Sequence, residues 1–206
     1  MRLLVGLGNP GSRYFATRHN LGFLAVNAIH RRFGFGPWRD KFQGALAEGE
    51  IDGVKLHLLK PQTFMNLSGD SVGETARFYK LKPSDIAVLH DDMDLAPGVL
   101  RVKQGGGHAG HNGLRSLDAI VGPDYWRVRL GIGHPGQREL VELYVLQEFD
   151  AEERIWVPPL VEAVAEAMPY LVKDDASGFT TKFAQILKPN PKNPPSDSKL
   201  ADGDQS

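Results

Sequence analysis

The chain contains no cysteine among its 206 residues, and its formal net charge is only −1. The absence of cysteine excludes disulfides, thiol nucleophiles and zinc sites built on thiolates. A net charge near zero gives no global attraction for a polyanion, so any contact with nucleic acid must come from a local basic patch. The hydrophobic fraction of 41% is ordinary for a globular protein, and a sizeable core is therefore expected.

Long hydrophobic runs are also missing from the sequence. No stretch approaches the roughly 18 consecutive apolar residues that a membrane span needs. The first apolar segment ends at Gly8-Asn9-Pro10, which is too early for the core of a signal peptide. We therefore expect a cytoplasmic protein that has no membrane partner.

Strand and helix patterns alternate along the chain, with short apolar runs in the buried strands, alternation in residues 99–103, and apolar spacings of three and four in the first helix. The strands are predicted at residues 2–7, 45–51, 54–59, 86–90, 99–103 and 126–131. The helices are predicted at residues 20–33, 70–79, 112–121, 139–146, 151–172 with an interruption at Pro158-Pro159, and 179–187. This order predicts an α/β fold: a single three-layer α/β/α domain with a twisted mixed sheet between helices.

Composition divides the chain near its carboxyl end. Residues 1–188 carry all the strand and helix patterns and are expected to form the one domain. Residues 189–206 are rich in proline, serine and aspartate and have almost no apolar residue. Such a segment cannot bury enough surface to fold, so it is predicted to be a disordered tail.

The segment Gly6-Leu7-Gly8-Asn9-Pro10-Gly11 fits the G-x-G-x-x-G pattern of dinucleotide-binding folds. In those folds the third glycine opens a helix, and an acidic residue about 20 positions later binds the ribose. Here a polar segment follows the third glycine, and the positions from Ala28 to Arg32 contain no carboxylate. The context disfavours dinucleotide binding, so these glycines need another explanation.

Several predicted strands lead directly into polar segments, which begin at Asn9, Lys60, His90 and Gly105. In open α/β sheets, ligands bind beyond the carboxyl ends of the strands. We therefore expect these segments to form one cleft.

Thr17-Arg18-His19-Asn20 precedes the first predicted helix and allows two interpretations. Thr17 or Asn20 can cap the helix by accepting backbone hydrogen bonds, with His19 as a solvated neighbour. Alternatively, His19 is a general base, since histidine is suited to proton transfer near neutral pH. The residues alone leave both open.

The segment His90-Asp91-Asp92-Met93-Asp94 places three carboxylates at a strand end. It is either a turn with capping aspartates, a metal site that adds His108 and His111, or the position of an aspartate that orients a histidine. The H-x-x-H spacing of His108 and His111 differs from the H-E-x-x-H of zinc proteases, which makes the metal interpretation the weaker one.

Other polar and basic residues also have two interpretations. Phe64 and Met65 can cover the core while Asn66 binds a peptide amide, and Asn112 either caps the next helix or shares that binding. Arg101 and Lys103 share one face of a strand, as do Arg127 and Arg129. These pairs are solvated faces or contacts for phosphates.

Six uncommon motifs occur together in order, and with them the chain strongly resembles bacterial peptidyl-tRNA hydrolases from Met1 to about Leu187. The motifs are residues 6–11, Tyr14 with residues 17–20, residues 60–66, His90-Asp91, residues 105–113 and residues 131–136. The resemblance implies hydrolysis of the ester between a peptide and the 3′ end of tRNA, so that tRNA is recycled. It implies peptidyl-tRNA as the partner of a monomeric enzyme that needs no cofactor, no metal and no other protein.

The resemblance also implies a role for individual residues. His19 would activate water, Asp91 would orient His19, and Asn9 would lie near the reacting ester. Asp92, directly beside Asp91, could take the same role; Asp91 is chosen because it follows the strand-end histidine as in the family. The remaining implied residues are Asn66 and Asn112 for the peptide, Tyr14, Phe64, Met65 and His111 for the lining of the cleft, and Arg101, Lys103 and Arg129 for tRNA phosphates.

The G-x-S-x-G motif marks a nucleophilic serine that forms an acyl-enzyme, and we expect no such serine in this chain. We therefore expect water to attack the ester directly. The sequence leaves two other classes of function open. One is an RNA-binding module without activity, which the presence of His19, Asp91, Asn9 and Asn66 disfavours. The other is a metal-dependent hydrolase built on Asp91, Asp94, His108 and His111.

Overall fold

A computed structural model describes residues 2–188 as seven strands and six α-helices, joined in places by short 3₁₀ turns. In chain order the elements are β1 (Leu3–Gly6), α1 (Leu21–Phe33), β2 (Arg39–Lys41), β3 (Gly44–Ile51), β4 (Val54–Pro61), α2 (Ser68–Tyr79), β5 (Ile86–Asp92), β6 (Leu100–Gln104), α3 (Asn112–Val121), β7 (Trp126–Gly131), α4 (Val141–Leu146), α5 (Glu153–Val172) and α6 (Ala176–Leu187). The predicted tail, residues 189–206, lies outside the described residues.

The described strands form one sheet in the order β2-β3-β4-β1-β5-β7-β6. Strands β4, β1, β5 and β7 are parallel to one another, while β2 and β3 on one side and β6 on the other are antiparallel to their neighbours. Because parallel strands end at the same edge of a sheet, the segments that follow β1, β4, β5 and β7 meet there. The predicted mixed sheet is confirmed, and this edge carries the candidate site.

Helices cover both faces of the sheet and give the predicted three layers. On one face, α1, α5 and α6 pack into a core that includes Leu21, Val164 and Phe179. On the other face, α2 and α3 contribute side chains such as Val72 and Leu117. Helix α1, for example, buries Leu21, Ala25 and Ala28, which lie three and four residues apart on one face.

The predicted interruption of α5 at Pro158-Pro159 is wrong, because the helix continues through both prolines. A proline removes one backbone hydrogen bond and crowds the carbonyl four residues earlier. Here the two prolines, and also Arg154 and Ile155, whose carbonyls lose their usual donors, are all exposed. Water can therefore satisfy those carbonyls, while Leu160 and its neighbours on the opposite face keep α5 packed in the core.

Helix α5 bears on the expectation about membrane spans. Among the described residues it is the one helix that is long and apolar enough to cross a membrane, by length and composition only. More than half of its apolar stretch is buried inside the protein, where α5 packs with α1 and α6. A buried core helix passes the same test, so α5 is only weak support for a span.

Strand β2 is absent from the predicted elements, and its turn explains why. Phe42 and Gln43 connect β2 to β3 with φ angles of 54° and 52°. Tight hairpins of this kind usually carry glycine or asparagine at such positions, and neither is present here. By contrast, Asp52-Gly53 joins β3 to β4 as its sequence predicts.

Candidate active site

A cleft of 610 Å³ opens at the carboxyl ends of the parallel strands. It collects side chains from the segments after β1 and β4, from the end of β5 and from the start of α3, and one wall comes from α4. Of the residues predicted for the site, the cleft is lined by Asn9, His19, Phe64, Met65, Asn66, Asp91, His111 and Asn112. The expected convergence of separate polar segments is therefore present.

The contact between His19 and Asp91 lies at the centre of this cleft. His19 Nδ1 is 3.0 Å from both carboxylate oxygens of Asp91, and both side chains are buried. A carboxylate only accepts hydrogen bonds, so Nδ1 carries the proton and donates it. Nε2 of His19 is then left with its lone pair, which is the form that a general base needs.

A second histidine, His111, also contacts Asp91. His111 Nδ1 accepts hydrogen bonds from the backbone N–H groups of Gly113 and Leu114, so His111 caps α3. Its proton must therefore lie on Nε2, which donates to Asp91 Oδ1 over 3.1 Å. The interpretation of Asn112 as the cap is wrong, because Asn112 is the first residue of the helix.

The two histidines determine the charge of Asp91. Burial opposes ionisation of this carboxyl, but His19 and His111 outweigh burial and hold the pKa of Asp91 well below its usual range. Asp91 is therefore a carboxylate throughout the neutral range. A fixed negative charge beside His19 favours the imidazolium that forms when Nε2 takes up a proton.

His90 lies directly behind this pair and stays neutral. Burial, with help from His111, lowers the pKa of His90 to about 3. Its Nδ1 donates to the backbone carbonyl of Asp91 over 2.7 Å, and this bond holds the end of β5 in place. Nε2 of His90 is buried without a hydrogen-bond partner in the described part of the chain.

Asn9 is fixed by two other segments of the chain. The side chain of Asn20 accepts from the Asn9 backbone N–H over 2.8 Å and donates to the Asn9 carbonyl over 3.0 Å. The Met65 N–H donates to Asn9 Oδ1 over 2.8 Å. Because that donor must face the oxygen, the Nδ2 group of Asn9 keeps two N–H donors without a partner among residues 2–188. Asn20 thus orients Asn9, and it makes no side-chain cap to α1.

The first two glycines of the G-x-G-x-x-G segment, Gly6 and Gly8, have a packing role. A Cβ atom at Gly6 would overlap the carbonyl oxygen of Gly22 in α1, and one at Gly8 would meet the ring of Phe23. Close approach of α1 to the end of β1 brings Asn20, just before α1, against Asn9. Gly6 and Gly8 therefore serve the exit of β1.

The remaining predicted residues differ in position. Asn66 and Asn112 are exposed on the cleft, and neither side chain has a hydrogen-bond partner within residues 2–188. Tyr14 lies in the 3₁₀ turn Ser12–Tyr14 and is not among the residues that line the cleft. Arg101, Lys103 and Arg129 likewise lie outside that lining.

The predicted basic residues lie on neighbouring strands at one end of the sheet. Arg101 on β6 is directly opposite Arg129 on β7, and Lys103 is opposite Arg127. Arg101 and Lys103 are exposed, but Arg129 Nε donates to Asp92 Oδ2 over 2.6 Å. Arg127 is buried and paired with Asp118. Asp92 therefore faces Arg129, and Asp91 is the aspartate that contacts His19.

Comparison with known proteins places the chain in a family. Residues 3–192 match the family model described as peptidyl-tRNA hydrolase. The chain belongs to the peptidyl-tRNA hydrolase family. It is 54% identical over 189 residues to the peptidyl-tRNA hydrolase of Rhodospirillum centenum, which covers 92% of this chain and 83% of the relative. It is 50% identical to that of Rhizobium etli, which covers 100% of this chain and 87% of the relative.

A solved peptidyl-tRNA hydrolase, from Acinetobacter baumannii, has the same fold with a TM-score of 0.85. It is 40% identical, and the match covers 89% of this chain and 94% of the other. The sequence resemblance to the peptidyl-tRNA hydrolase family is therefore confirmed, and the chain is an enzyme of this class.

The role of one residue that supports the site, Arg18, was not predicted from the sequence. Arg18 is buried and makes two hydrogen bonds of 2.7 Å to the carboxylate of Glu153. Its third contact is the Tyr144 carbonyl, and its guanidinium lies 4.2 Å from the centre of the Tyr144 ring. Thr17 forms a β-bridge with Glu148, so the segment that carries His19 is fixed to the segment before α5.

A metal could be held only by a group different from the one predicted. Within residues 2–188, the candidate ligand atoms that cluster within 4.8 Å belong to His19, Asp91 and His111; Asp94 and His108 are not in this group. For His111 to bind a metal through Nε2, its proton would move to Nδ1 and face the N–H donors of α3. The cap of α3 therefore opposes metal binding at His111.

The expectation that the chain has no G-x-S-x-G serine is wrong at one position. Gly69-Asp70-Ser71-Val72-Gly73 fits the motif, but it lies inside α2 rather than at a strand-to-helix turn. Ser71 is completely buried and does not line the cleft. It is not placed to attack a substrate.

Proposed function

We propose that this chain hydrolyses the ester of peptidyl-tRNA with a water molecule that His19 activates, and that no covalent intermediate forms. The observation that carries the proposal is the His19–Asp91 contact, in which both carboxylate oxygens fix the Nδ1–H tautomer. The absence of a serine, cysteine or threonine from the lining of the cleft in the described chain supports direct attack by water.

The proposed step balances with water as the only co-reactant. Nε2 of His19 removes a proton while the water oxygen bonds to the ester carbonyl carbon. The tetrahedral intermediate then collapses, the bond from carbon to the ribose oxygen breaks, and His19 returns the proton to that oxygen. The products are a free peptide carboxylic acid and a tRNA with an intact terminal hydroxyl. A positioned base of this kind contributes about 10²–10⁴-fold in rate.

Asn9 is proposed to stabilise the oxyanion. Its Nδ2 donors are held at the cleft because Oδ1 is occupied by the Met65 N–H. A preorganised donor aimed at the developing charge is worth about 10²–10³-fold in kcat. Its orientation costs nothing during the reaction, since Asn20 and Met65 have already fixed it.

The peptide part of the substrate is proposed to contact Asn66 and Asn112. Both amides are exposed on the cleft and can donate and accept, as a peptide backbone requires. Phe64, Met65 and His111 line the same space, and Tyr14 would contribute only where the substrate extends past the cleft.

Recognition of tRNA is proposed to use Arg101, Lys103 and Arg129. Arg101 and Lys103 project from one face of β6 and are exposed. Arg129 is opposite Arg101, but Asp92 offsets part of its charge. We therefore assign the larger part of the phosphate contact to Arg101 and Lys103.

We further propose that the enzyme is a cytoplasmic monomer that recycles tRNA during translation. Residues 1–188 would form its catalytic domain, and catalysis would not need residues 189–206.

The chemical proposal is tested by quenching the enzyme during turnover of peptidyl-tRNA and measuring its mass under denaturing conditions. We expect only the unmodified mass, with activity that survives thorough chelation of metals. An enzyme species heavier by the mass of the acyl peptide would overturn direct attack by water. Loss of activity on chelation, restored by a divalent metal, would favour the metal-dependent alternative.

A further inference from the structure

A second cavity of 280 Å³ adjoins the cleft and shares Asn9 with it. Asn20, which fixes Asn9, and Lys60, at the end of β4, also line this cavity, which we call the Lys60 cavity. A ligand group in the Lys60 cavity would therefore lie on the other side of the residue proposed to contact the oxyanion. The mechanism described above makes no use of it.

Lys60 is the one charged residue among those that line the cavity in the described chain. Its ammonium donates to Asn27 Oδ1 over 2.9 Å and lies 4.1 Å from the centre of the Trp38 ring. The Phe23 ring is 5.9 Å away. An ammonium has three donors, so two remain after the bond to Asn27. The ring faces favour the charged form of the side chain.

Lys60 lacks an anionic partner within residues 2–188. Burial without such a partner lowers the pKa of the Lys60 ammonium from its ordinary value. An anion bound in the cavity would offset this cost, because an opposite charge favours the protonated lysine. Lys60 is thus a partly buried cation whose charge a bound ligand anion would balance.

The substrate itself offers such an anion close to the reacting bond. In peptidyl-tRNA the ester is on the ribose of the last nucleotide, and the nearest phosphate is the 5′-phosphate of that same nucleotide. Phe15 lines the Lys60 cavity and is 65% exposed, which provides a ring face on which a base can stack. A nucleotide therefore fits the cavity better than an acidic peptide side chain does.

We propose that the Lys60 cavity binds the 5′-phosphate of the 3′-terminal nucleotide of peptidyl-tRNA, with Lys60 as the contacting cation. The proposal rests on the proposed function of the cleft. This contact is separate from those of Arg101 and Lys103 on β6. It would hold the ribose next to Asn9, so that binding at a non-reacting phosphate helps to place the ester before His19.

The test compares two minimal substrates that differ by one phosphate. One is a peptide esterified to the 3′-hydroxyl of adenosine, and the other is the same peptide on adenosine 5′-monophosphate. We expect the wild-type enzyme to show a kcat/KM about tenfold higher with the phosphate, as a charged hydrogen bond provides. Lys60→Met should remove this preference. Lys55→Met, which changes an exposed lysine on the same strand, should retain it.

The result is the ratio of kcat/KM for the two minimal substrates. A variant that contains less active enzyme loses the same factor on both, so the ratio does not change. If Lys60→Met does not fold, an NMR titration of the wild-type chain tests binding in the Lys60 cavity instead. Adenosine 5′-monophosphate should shift the backbone amides of Gly11 and Ser12, which line the cavity, and adenosine should not.

Equal efficiency of the wild type on both substrates, or a preference that survives Lys60→Met, would overturn the proposal. A Lys60-dependent preference for acidic peptides, with no effect of the phosphate, would assign the cavity to the peptide instead. Failure of the proposed function would look different, since the wild type would then hydrolyse neither minimal substrate nor peptidyl-tRNA. The nucleotide titration would still test the cavity in that case.

Discussion

Asp91 accepts hydrogen bonds from two histidines, which belong to segments on opposite sides of the sheet. His19 comes from the turn before α1, and His111 from the cap of α3. Each histidine donates one proton, so the carboxylate must accept from both. An amide would disturb this arrangement, because His19 Nδ1 is 3.0 Å from both oxygens of Asp91 and an amide nitrogen in place of either one would face the Nδ1–H donor.

This geometry predicts different effects at two adjacent aspartates. Asp91→Asn should lower kcat by about 10²–10³-fold, because the His19 tautomer and the imidazolium both lose support. Asp92→Asn should change kcat by no more than about threefold, since Asp92 faces Arg129 rather than His19. Steady-state kinetics on peptidyl-tRNA measure both variants. A larger loss of kcat for Asp92→Asn would show that the wrong aspartate is assigned to His19.

His90 makes a prediction about stability and pH. Its pKa of about 3 in the folded chain is below the 6.5 of an unperturbed histidine, so between these values the unfolded state binds more protons. Stability should therefore fall as pH falls from about 6.5 to 3, by at most about 5 kcal/mol from this residue.

His90→Gln keeps a donor for the Asp91 carbonyl but does not titrate, so its acid destabilisation should be shallower than that of the wild type. Denaturant unfolding at a series of pH values measures the slopes. Identical slopes for the two proteins between pH 6.5 and 4 would contradict the assignment of a buried neutral His90.

At the scale of elements, the turn that carries His19 is fixed to the start of α5. Arg18 and Glu153 form a buried pair with two hydrogen bonds, and the Phe149 N–H donates to the Ala16 carbonyl. Removing one member of such a pair leaves an uncompensated buried charge. Arg18 is thus a positioning residue for His19.

The pair should couple stability to activity. Arg18→Met should destabilise the fold by about 3–5 kcal/mol, and the double variant Arg18→Met/Glu153→Leu should recover part of that loss. Denaturant unfolding of the two single variants and the double variant gives the coupling energy. In the folded Arg18→Met protein we expect kcat to fall while KM for peptidyl-tRNA changes little. Additive losses of stability would contradict a paired role.

Sequence patterns were informative for elements and for residues inside local motifs, and less so for partners that are distant in the chain. The helices and the hairpin at Asp52-Gly53 follow from spacing and turn residues. The positioning roles of Asn20 and Arg18 were not predicted, because their partners lie far along the chain. Asn9 is 11 residues from Asn20, and Glu153 is 135 residues from Arg18. Only packing of α1 on β1 and of α5 on the sheet brings these partners together.

Two predictions from the sequence were wrong for a different physical reason. In each, a local preference for a residue type was overridden by packing or by a tertiary contact. Pro158 and Pro159 are tolerated since they lie on the exposed side of a helix whose other side is core. The asparagine before glycine at Asn112 matched a cap, but the neighbouring His111 takes that position and contacts Asp91 at the same time.

At the scale of the whole molecule, a chain of net charge −1 must bind a polyanion through a few placed cations. Arg101 and Lys103 project together from the edge strand β6, outside the cleft. In the proposed function, binding of tRNA and chemistry on the ester are therefore separated in space. This separation predicts that substrates of different length respond differently to the same substitution.

Lys103→Ala should raise KM for peptidyl-tRNA with little change in kcat, and the effect should shrink as salt rises. The slope of log(kcat/KM) against log salt concentration should become shallower by about one. Arg129→Ala should have a smaller effect, because Asp92 already offsets part of the charge of Arg129. Kinetics at several salt concentrations check both variants. A peptide esterified to adenosine is the control, and an equal loss on it for Lys103→Ala would refute the separation.

The most direct measurement of the central claim is the release of peptide from peptidyl-tRNA by the purified chain and by His19→Ala, with aminoacyl-tRNA as the control substrate. The wild type should hydrolyse peptidyl-tRNA and leave aminoacyl-tRNA largely intact. His19→Ala should retain the fold but lose about 10²–10⁴-fold in kcat, on full and minimal substrates alike. Turnover near that of the wild type in a folded His19→Ala protein would contradict the role of His19 as the base.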